Sequence, residues 1–172
     1  MQLSQAISLI QHSTGKQKSV WADLGCGDGL FTNALSNLLA KESLVYAVDK
    51  NKAALNKVAI VKQVQLQKLE IDFVKDNLPF TNLSGILMAN SFQFIKDKNT
   101  FTNKAFNCLN KDGYLLMVEY DTDTSNFWVP YPMSFKKLEI FFNHYNYAAE
   151  KLHEMPSRFN GTIYAAIVRI NK

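Results

Sequence analysis

An apolar run, Val20-Trp21-Ala22, ends on Asp23, and glycines then stand at alternate positions, Gly25, Gly27 and Gly29. An amphipathic run follows at once, with Phe31, Ala34, Leu35 and Leu38 on one helical face. This order describes a strand that turns through a glycine loop into a helix, the arrangement that holds nucleotide-containing cofactors. Glycine lets the backbone turn tightly and approach a ligand where any Cβ would collide. The acid at the strand end, Asp23, sets this loop apart from an ordinary phosphate cradle.

The rest of the chain repeats the alternation. Leu3, Ala6, Ile7 and Ile10 predict an opening helix that ends near Thr14-Gly15. Strands are expected at 20–23, 44–48, 64–71, 83–89 and 114–120, and Asp49 and Asp72 follow the second and third. Helices are expected over 30–40, around Leu55 and Val58, and around Phe101, Ala105 and Leu109. Lys111-Asp112-Gly113 reads as a turn into the fifth strand. Strands separated by helices pair in parallel through right-handed crossovers. The end differs: Phe135, Leu138, Phe142 and Tyr145 mark a helix, and 148–155 and 162–170 flank a short turn as an antiparallel hairpin.

Composition narrows the class. At 172 residues, 47% apolar and 20% charged, the expectation is one globular domain that buries roughly 68–70% of its unfolded surface. No apolar stretch is long enough to span a bilayer, and the N-terminus lacks a basic-then-apolar secretory pattern. Cytoplasmic location is the default expectation. The net charge of +4 comes from 19 basic residues scattered along the chain, not a concentrated face, so nucleic acid is not the expected partner. Two cysteines, Cys26 and Cys108, suggest neither a disulfide framework nor a metal cluster. His12, His144 and His153 lack metal-ligand spacing, so no metal is expected.

Asp23, Asp49 and Asp72 all fall at the ends of strands that share one edge of a parallel sheet, where ligands bind. Asp49 lies 20 residues after Gly29, a separation at which a carboxylate takes ribose hydroxyls. The adenosine so held belongs either to NAD or to S-adenosyl-L-methionine. A diphosphate favours Gly-x-Gly-x-x-Gly with no nearby acid. Here the spacing is Gly-x-Gly-x-Gly, with Asp23 before it and Asp28 inside it. Carboxylates beside a helix N-terminus repel a diphosphate and suit an ammonium and sulfonium ligand. The loop argues for S-adenosylmethionine.

Asp23-Leu24-Gly25-Cys26-Gly27-Asp28-Gly29 resembles the first motif of class I S-adenosylmethionine-dependent methyltransferases. The likeness extends over nearly the whole chain. It implies a Rossmann-like three-layer αβα sandwich: a mostly parallel seven-stranded sheet with a C-terminal antiparallel hairpin. The implied layout is an N-terminal helix (1–14), a cofactor-binding core (20–120), a substrate loop (121–134) and a closing helix and hairpin (135–172). In that family's arrangement the Gly25–Gly29 backbone, including Cys26 and Gly27, brackets the methionine part, with Asp23 near its amino group. Asp49, with Lys50 beside it, holds the ribose. Asp72 takes the adenine amino group and Phe73 offers a backbone N–H and an apolar wall. Asn90 lies near the activated methyl. The bland alternatives are a turn cap for Asp72, a strand-end turn for Asn90 and simple packing for Cys26.

The acceptor is less legible. Asn-Pro-Pro-Tyr, the family's signature for exocyclic amines, is replaced by Asn90-Ser91-Phe92-Gln93, and no cysteine pair suits attack on a pyrimidine. Glu119-Tyr120-Asp121-Thr122-Asp123 runs into Asn126-Phe127-Trp128-Val129-Pro130-Tyr131-Pro132 after the fifth strand. Acids and aromatics together suggest a cage for a cationic acceptor, although plain packing of Phe127, Trp128 and Tyr131 over the sheet is the simpler expectation. Either way the loop should border the substrate pocket. Asn90, Tyr120, Trp128, Tyr131 and Arg158 are the acceptor-side candidates. With little chain left for a lid, the expected acceptor is a small molecule, and a homodimer that completes the pocket is compatible with the sequence. The alternatives are a non-catalytic S-adenosylmethionine-binding scaffold and an NAD-linked oxidoreductase.

Overall fold

β1 (Val20–Leu24) is the centre of the layout, because its apolar side chains must be covered on both faces. A computed structural model describes residues 1–12, 17–59, 64–157 and 161–171. β1 pairs in parallel with β2 (Leu44–Asp49) on one side and β4 (Leu83–Ala89) on the other. β3 (Gln65–Glu70) extends the sheet beyond β2, and β5 (Leu109–Tyr120) beyond β4. β7 (Thr162–Ile170) joins β5 antiparallel and pairs with β6 (Tyr147–Pro156), giving the order β3-β2-β1-β4-β5-β7-β6. This is the expected seven-stranded, mostly parallel sheet with an antiparallel end.

Alternation along the strands sends side chains to two cores. One face (Ala22, Leu24, Ile86, Met88, Met117, Tyr164) packs against α4 (Lys98–Phe106) and α5 (Phe135–Asn143) through Phe101, Ala105, Leu138 and Phe142. The other (Trp21, Val45, Leu87, Leu116, Ala165) packs against α1 (Leu3–Ile10) and α2 (Leu30–Leu38) through Ala6, Leu9, Phe31 and Leu35. α3 (Lys52–Lys57) seats Leu55 against Ala47 and Cys26. Trp21 lies flat over Gly85, where an added Cβ would come within 2.4 Å of the indole. Among the described residues no helix is long and apolar enough to cross a membrane.

Three local expectations are corrected. Leu109 does not close a helix but begins β5. The expected turn at Lys111-Asp112-Gly113 lies inside that strand: pairing with β4 slips between Leu83 and Gly85, so the extra residues form a bulge. The opening helix stops at Ile10, and the expected stop near Thr14-Gly15 lies outside the described residues.

Candidate functional site

The C-terminal ends of β1 to β4 gather the acids named from the sequence. Asp23 is fully buried, and Thr32 Oγ1 in the first turn of α2 donates to its Oδ2 at 2.6 Å. Its Oδ1 is buried without a hydrogen-bond partner. Burial pushes the carboxyl up to about 7; the Thr32 hydroxyl opposes this rise and the charge of Asp49 adds to it. An orphaned buried acceptor costs about 1–3 kcal/mol, so the position is built to receive a donor. An ammonium, which brings a charge as well, fits it best.

The glycine loop is folded onto the sheet by its own amides. Gly25 N–H and Cys26 N–H both donate to the Val48 carbonyl, at 2.8 and 3.0 Å, and Gly29 N–H donates to the Cys26 carbonyl at 3.0 Å. Gly27 N–H donates to Asp49 Oδ2 at 2.8 Å. A diphosphate cradle needs such amides pointing outward; these four are turned inward. Gly25 and Gly29 have φ of +80° and +91°, and an added Cβ would sit 2.6 Å from Ser91 Cβ and 2.7 Å from Val58 Cγ1 respectively. Gly27, at φ +55°, has nothing within 4 Å of that position and so faces open space. Cys26 is buried against Leu55 and Ala47, and burial raises its thiol, in keeping with a packing residue.

Asp49 Oδ1 accepts from Asn51 N–H at 2.8 Å, which with the Gly27 contact leaves about two lone-pair directions on the carboxylate for a ligand. Asp72 Oδ1 accepts from Val74 N–H at 3.1 Å, the turn-capping contact, and its Oδ2 lies 3.7 Å from Lys50 Nζ. Phe73 is buried against Phe101. Lys104 fastens this corner, donating to the carbonyls of Phe73, Val74 and Asp76 at 2.7, 3.1 and 2.9 Å. No sequence spacing marks Lys104, because its partners lie about 30 residues away.

The family profile described as a methyltransferase domain matches residues 22–115, from the middle of β1 into β5. The chain belongs to this methyltransferase domain family. A comparison with curated proteins finds no match. Among solved structures, an S-adenosylmethionine-dependent methyltransferase from Leishmania major superposes with a TM-score of 0.74 at 17% identity, over 97% of this chain and 71% of that one. A methyltransferase described in the same terms from Aquifex aeolicus gives 0.62 at 17%, over 97% and 98%. Magnesium protoporphyrin IX methyltransferase from Synechocystis gives 0.69 at 11%, over 97% and 77%.

A cleft of about 680 Å³ opens beyond the ends of β4 and β5. Asn90, Tyr120 and Trp128 line it together with Gln93, Asp121 and Val129. Asn90 takes a left-handed conformation, φ +52°, and its N–H donates to Val118 O at 2.7 Å. Glu119 is buried beneath, its Oε1 accepting from Ser91 N–H and Phe92 N–H at 3.0 and 2.8 Å. Burial pushes Glu119 up to about 8, against the pull of those amides and of Lys98. A second hollow of about 320 Å³, lined by Met1, Leu30 and Phe31, shares Asn90 and Tyr120 with the first.

The loop departs from expectation. Phe127 and Trp128 do not pack on the sheet: they are 88% and 77% exposed, in edge contact at 5.2 Å. Of the acids and aromatics read as a cage, Tyr120, Asp121 and Trp128 share the cleft lining, while the acids are also engaged by the chain itself. Asp121 Oδ1 accepts from Phe135 N–H at 2.8 Å and Asp123 accepts from Ser134 N–H at 3.0 Å, so both tie down the start of α5. Tyr131 is absent from the cleft lining; the cation over its ring is the chain's own Lys98, 5.8 Å away. Lys98, which the sequence reading missed, donates to Ile95 O at 2.7 Å and Tyr131 O at 2.9 Å, clamping the loop to the 3₁₀ turn Phe92–Phe94. Arg158 lies outside the described residues.

Proposed function

We propose that the chain transfers a methyl group from S-adenosylmethionine to a small molecule seated in the 680 Å³ cleft. The observation that carries this reading is the position of Asn90, which directly follows the strand beside β1 and also lines the cleft, so that donor side and acceptor side meet at one residue. S-adenosylmethionine supplies a methyl group made electrophilic by its sulfonium. The orphaned oxygen of Asp23 takes the amino group, and the remaining lone pairs of Asp49 take the ribose hydroxyls. Asp72 and Phe73, held by Lys104, receive the adenine. Gly27 leaves its open face to the methionine part.

Alignment is the main catalytic contribution in this reading, and well-oriented systems gain roughly 7–11 kcal/mol from it. Burial, with the charge of Glu119 adding, raises the Tyr120 phenol, so Tyr120 keeps its proton near neutrality and serves as a wall, not a base. A cleft of this volume falls in the range of small-molecule sites, roughly 300–1,000 Å³. The segment beyond residue 120 supplies much of its lining, so one domain carries both halves of the reaction. Calorimetry with S-adenosylhomocysteine and with NAD tests the reading. Binding of the first alone is expected; binding of NAD alone overturns it.

A further inference from the structure

We propose that Gln93 and Asn90 form a hydrogen-bond-accepting subsite that selects acceptors carrying an O–H or N–H donor over anionic ones; this rests on the methyltransferase reading of the cleft. Gln93 is 5% exposed, and its Nε2 donates to the Asn90 carbonyl at 3.2 Å. That contact fixes the amide, because a carbonyl oxygen accepts only and so must face the NH₂ group. Gln93 Oε1 is thereby turned away, and it is buried with no partner while the residue lines the cleft. Asn90 Oδ1 is a second buried oxygen without a partner on the same wall. Each of these two acceptors on the cleft wall leaves a desolvation cost that an incoming donor removes.

The remaining lining agrees. Thr122, Thr124 and Thr162 have hydroxyls that either give or accept, and Trp128 and Val129 supply apolar surface. Asp121 adds a carboxylate engaged by Phe135 N–H and, at 3.5 Å, by Lys151. None of the described lining residues is Lys, Arg or His. The buried ammonium of Lys98 points at the Ile95 and Tyr131 carbonyls instead. A carboxylate or phosphate entering here meets oxygen lone pairs with no cation to offset them. A neutral alcohol or phenol on an apolar body satisfies one of the orphaned oxygens, and an –NH₂ group, with two donors, satisfies both.

Ligand-observed NMR titration of the protein saturated with S-adenosylhomocysteine tests this with four probes of similar size: phenol, aniline, anisole and benzoate. Phenol or aniline is expected to bind roughly tenfold more tightly than anisole, which lacks the donor, and than benzoate. The stronger of the two names the preferred donor atom. Gln93→Met should bring the phenol-to-anisole ratio near one while S-adenosylhomocysteine affinity holds. Anisole or benzoate binding as tightly as the donor probes overturns the subsite, as does failure of all four to bind or an unchanged ratio in Gln93→Met. If that variant does not fold, the unsubstituted protein's probe series still decides. Failure of S-adenosylhomocysteine itself to bind instead brings down the methyltransferase reading, and this inference with it.

Discussion

The edge proposed for the methyl donor and the edge proposed for the acceptor are held together by different means. Along the ends of β1, β2 and β3, backbone amides converge on neighbouring strands: the Val48 carbonyl takes the Gly25 and Cys26 amides, Asp49 takes those of Gly27 and Asn51, and Asp72 takes that of Val74. Beyond β5, the 121–134 segment hangs from side-chain tethers, with Asp121 and Asp123 at α5 and Lys98 at Tyr131. Its tip, Phe127-Trp128, stands in solvent. The first edge has little freedom to change without losing the fold of the loop. The second rests on individual side chains that can be replaced one at a time.

The sharpest way to break this contrast is at the glycines. Gly25→Ala must adopt φ near +80° and push its Cβ to 2.6 Å from Ser91 Cβ. Backbone strain and overpacking together should cost about 2–5 kcal/mol and abolish S-adenosylhomocysteine binding. Gly27→Ala has the strain without the clash, so denaturant melts should show roughly 1 kcal/mol lost, while affinity falls because the new methyl fills the open face. Equal stability loss in the two variants would refute the assignment of Gly27 to the ligand side.

Asp49→Ala comes next. Two charge-assisted bonds to ribose, with the Gly27 anchor, predict roughly 100-fold weaker S-adenosylhomocysteine binding by calorimetry; an unchanged dissociation constant removes the ribose assignment. Asp49 and the glycine loop were legible in the sequence because strand ends, positive-φ glycines and apolar runs such as Leu83–Ala89 leave marks within a few residues, even though the contacts they make reach across strands. Gln93, Lys98 and Lys104 were not legible as site residues. Their meaning depends on carbonyls or cavities brought close by the fold, and nothing adjacent in the chain announces them. The turn read at Gly113 failed for a related reason: its glycine serves a bulge imposed by β4.

Protonation of Asp23 gives a smaller, graded effect. Its folded pKa, about 7, lies well above the ordinary carboxylate value of 3.8. Its contribution to stability is therefore complete below about pH 4 and is lost as pH rises through 7 in the ligand-free protein. An ammonium beside it favours the carboxylate, so ligand binding must release a proton when the free site is protonated. S-adenosylhomocysteine affinity should rise about tenfold from pH 6 to pH 8, and Asp23→Asn should flatten that profile. A wild-type profile that is already flat would separate Asp23 from the amino group.

Trp128→Ala should have the least effect on the fold. The indole is 77% exposed, its N–H backbone contact to Asn126 Oδ1 at 2.8 Å survives truncation, and Val129 beside it stays buried. Thermal stability should move by less than about 0.5 kcal/mol, and S-adenosylhomocysteine affinity should be unchanged. What the variant removes is apolar wall at the cleft, so KM for an acceptor should rise several-fold with little change in kcat. A matching loss of donor affinity would mean that the loop reaches across to the strand ends, and the two edges would then have to be treated as one site.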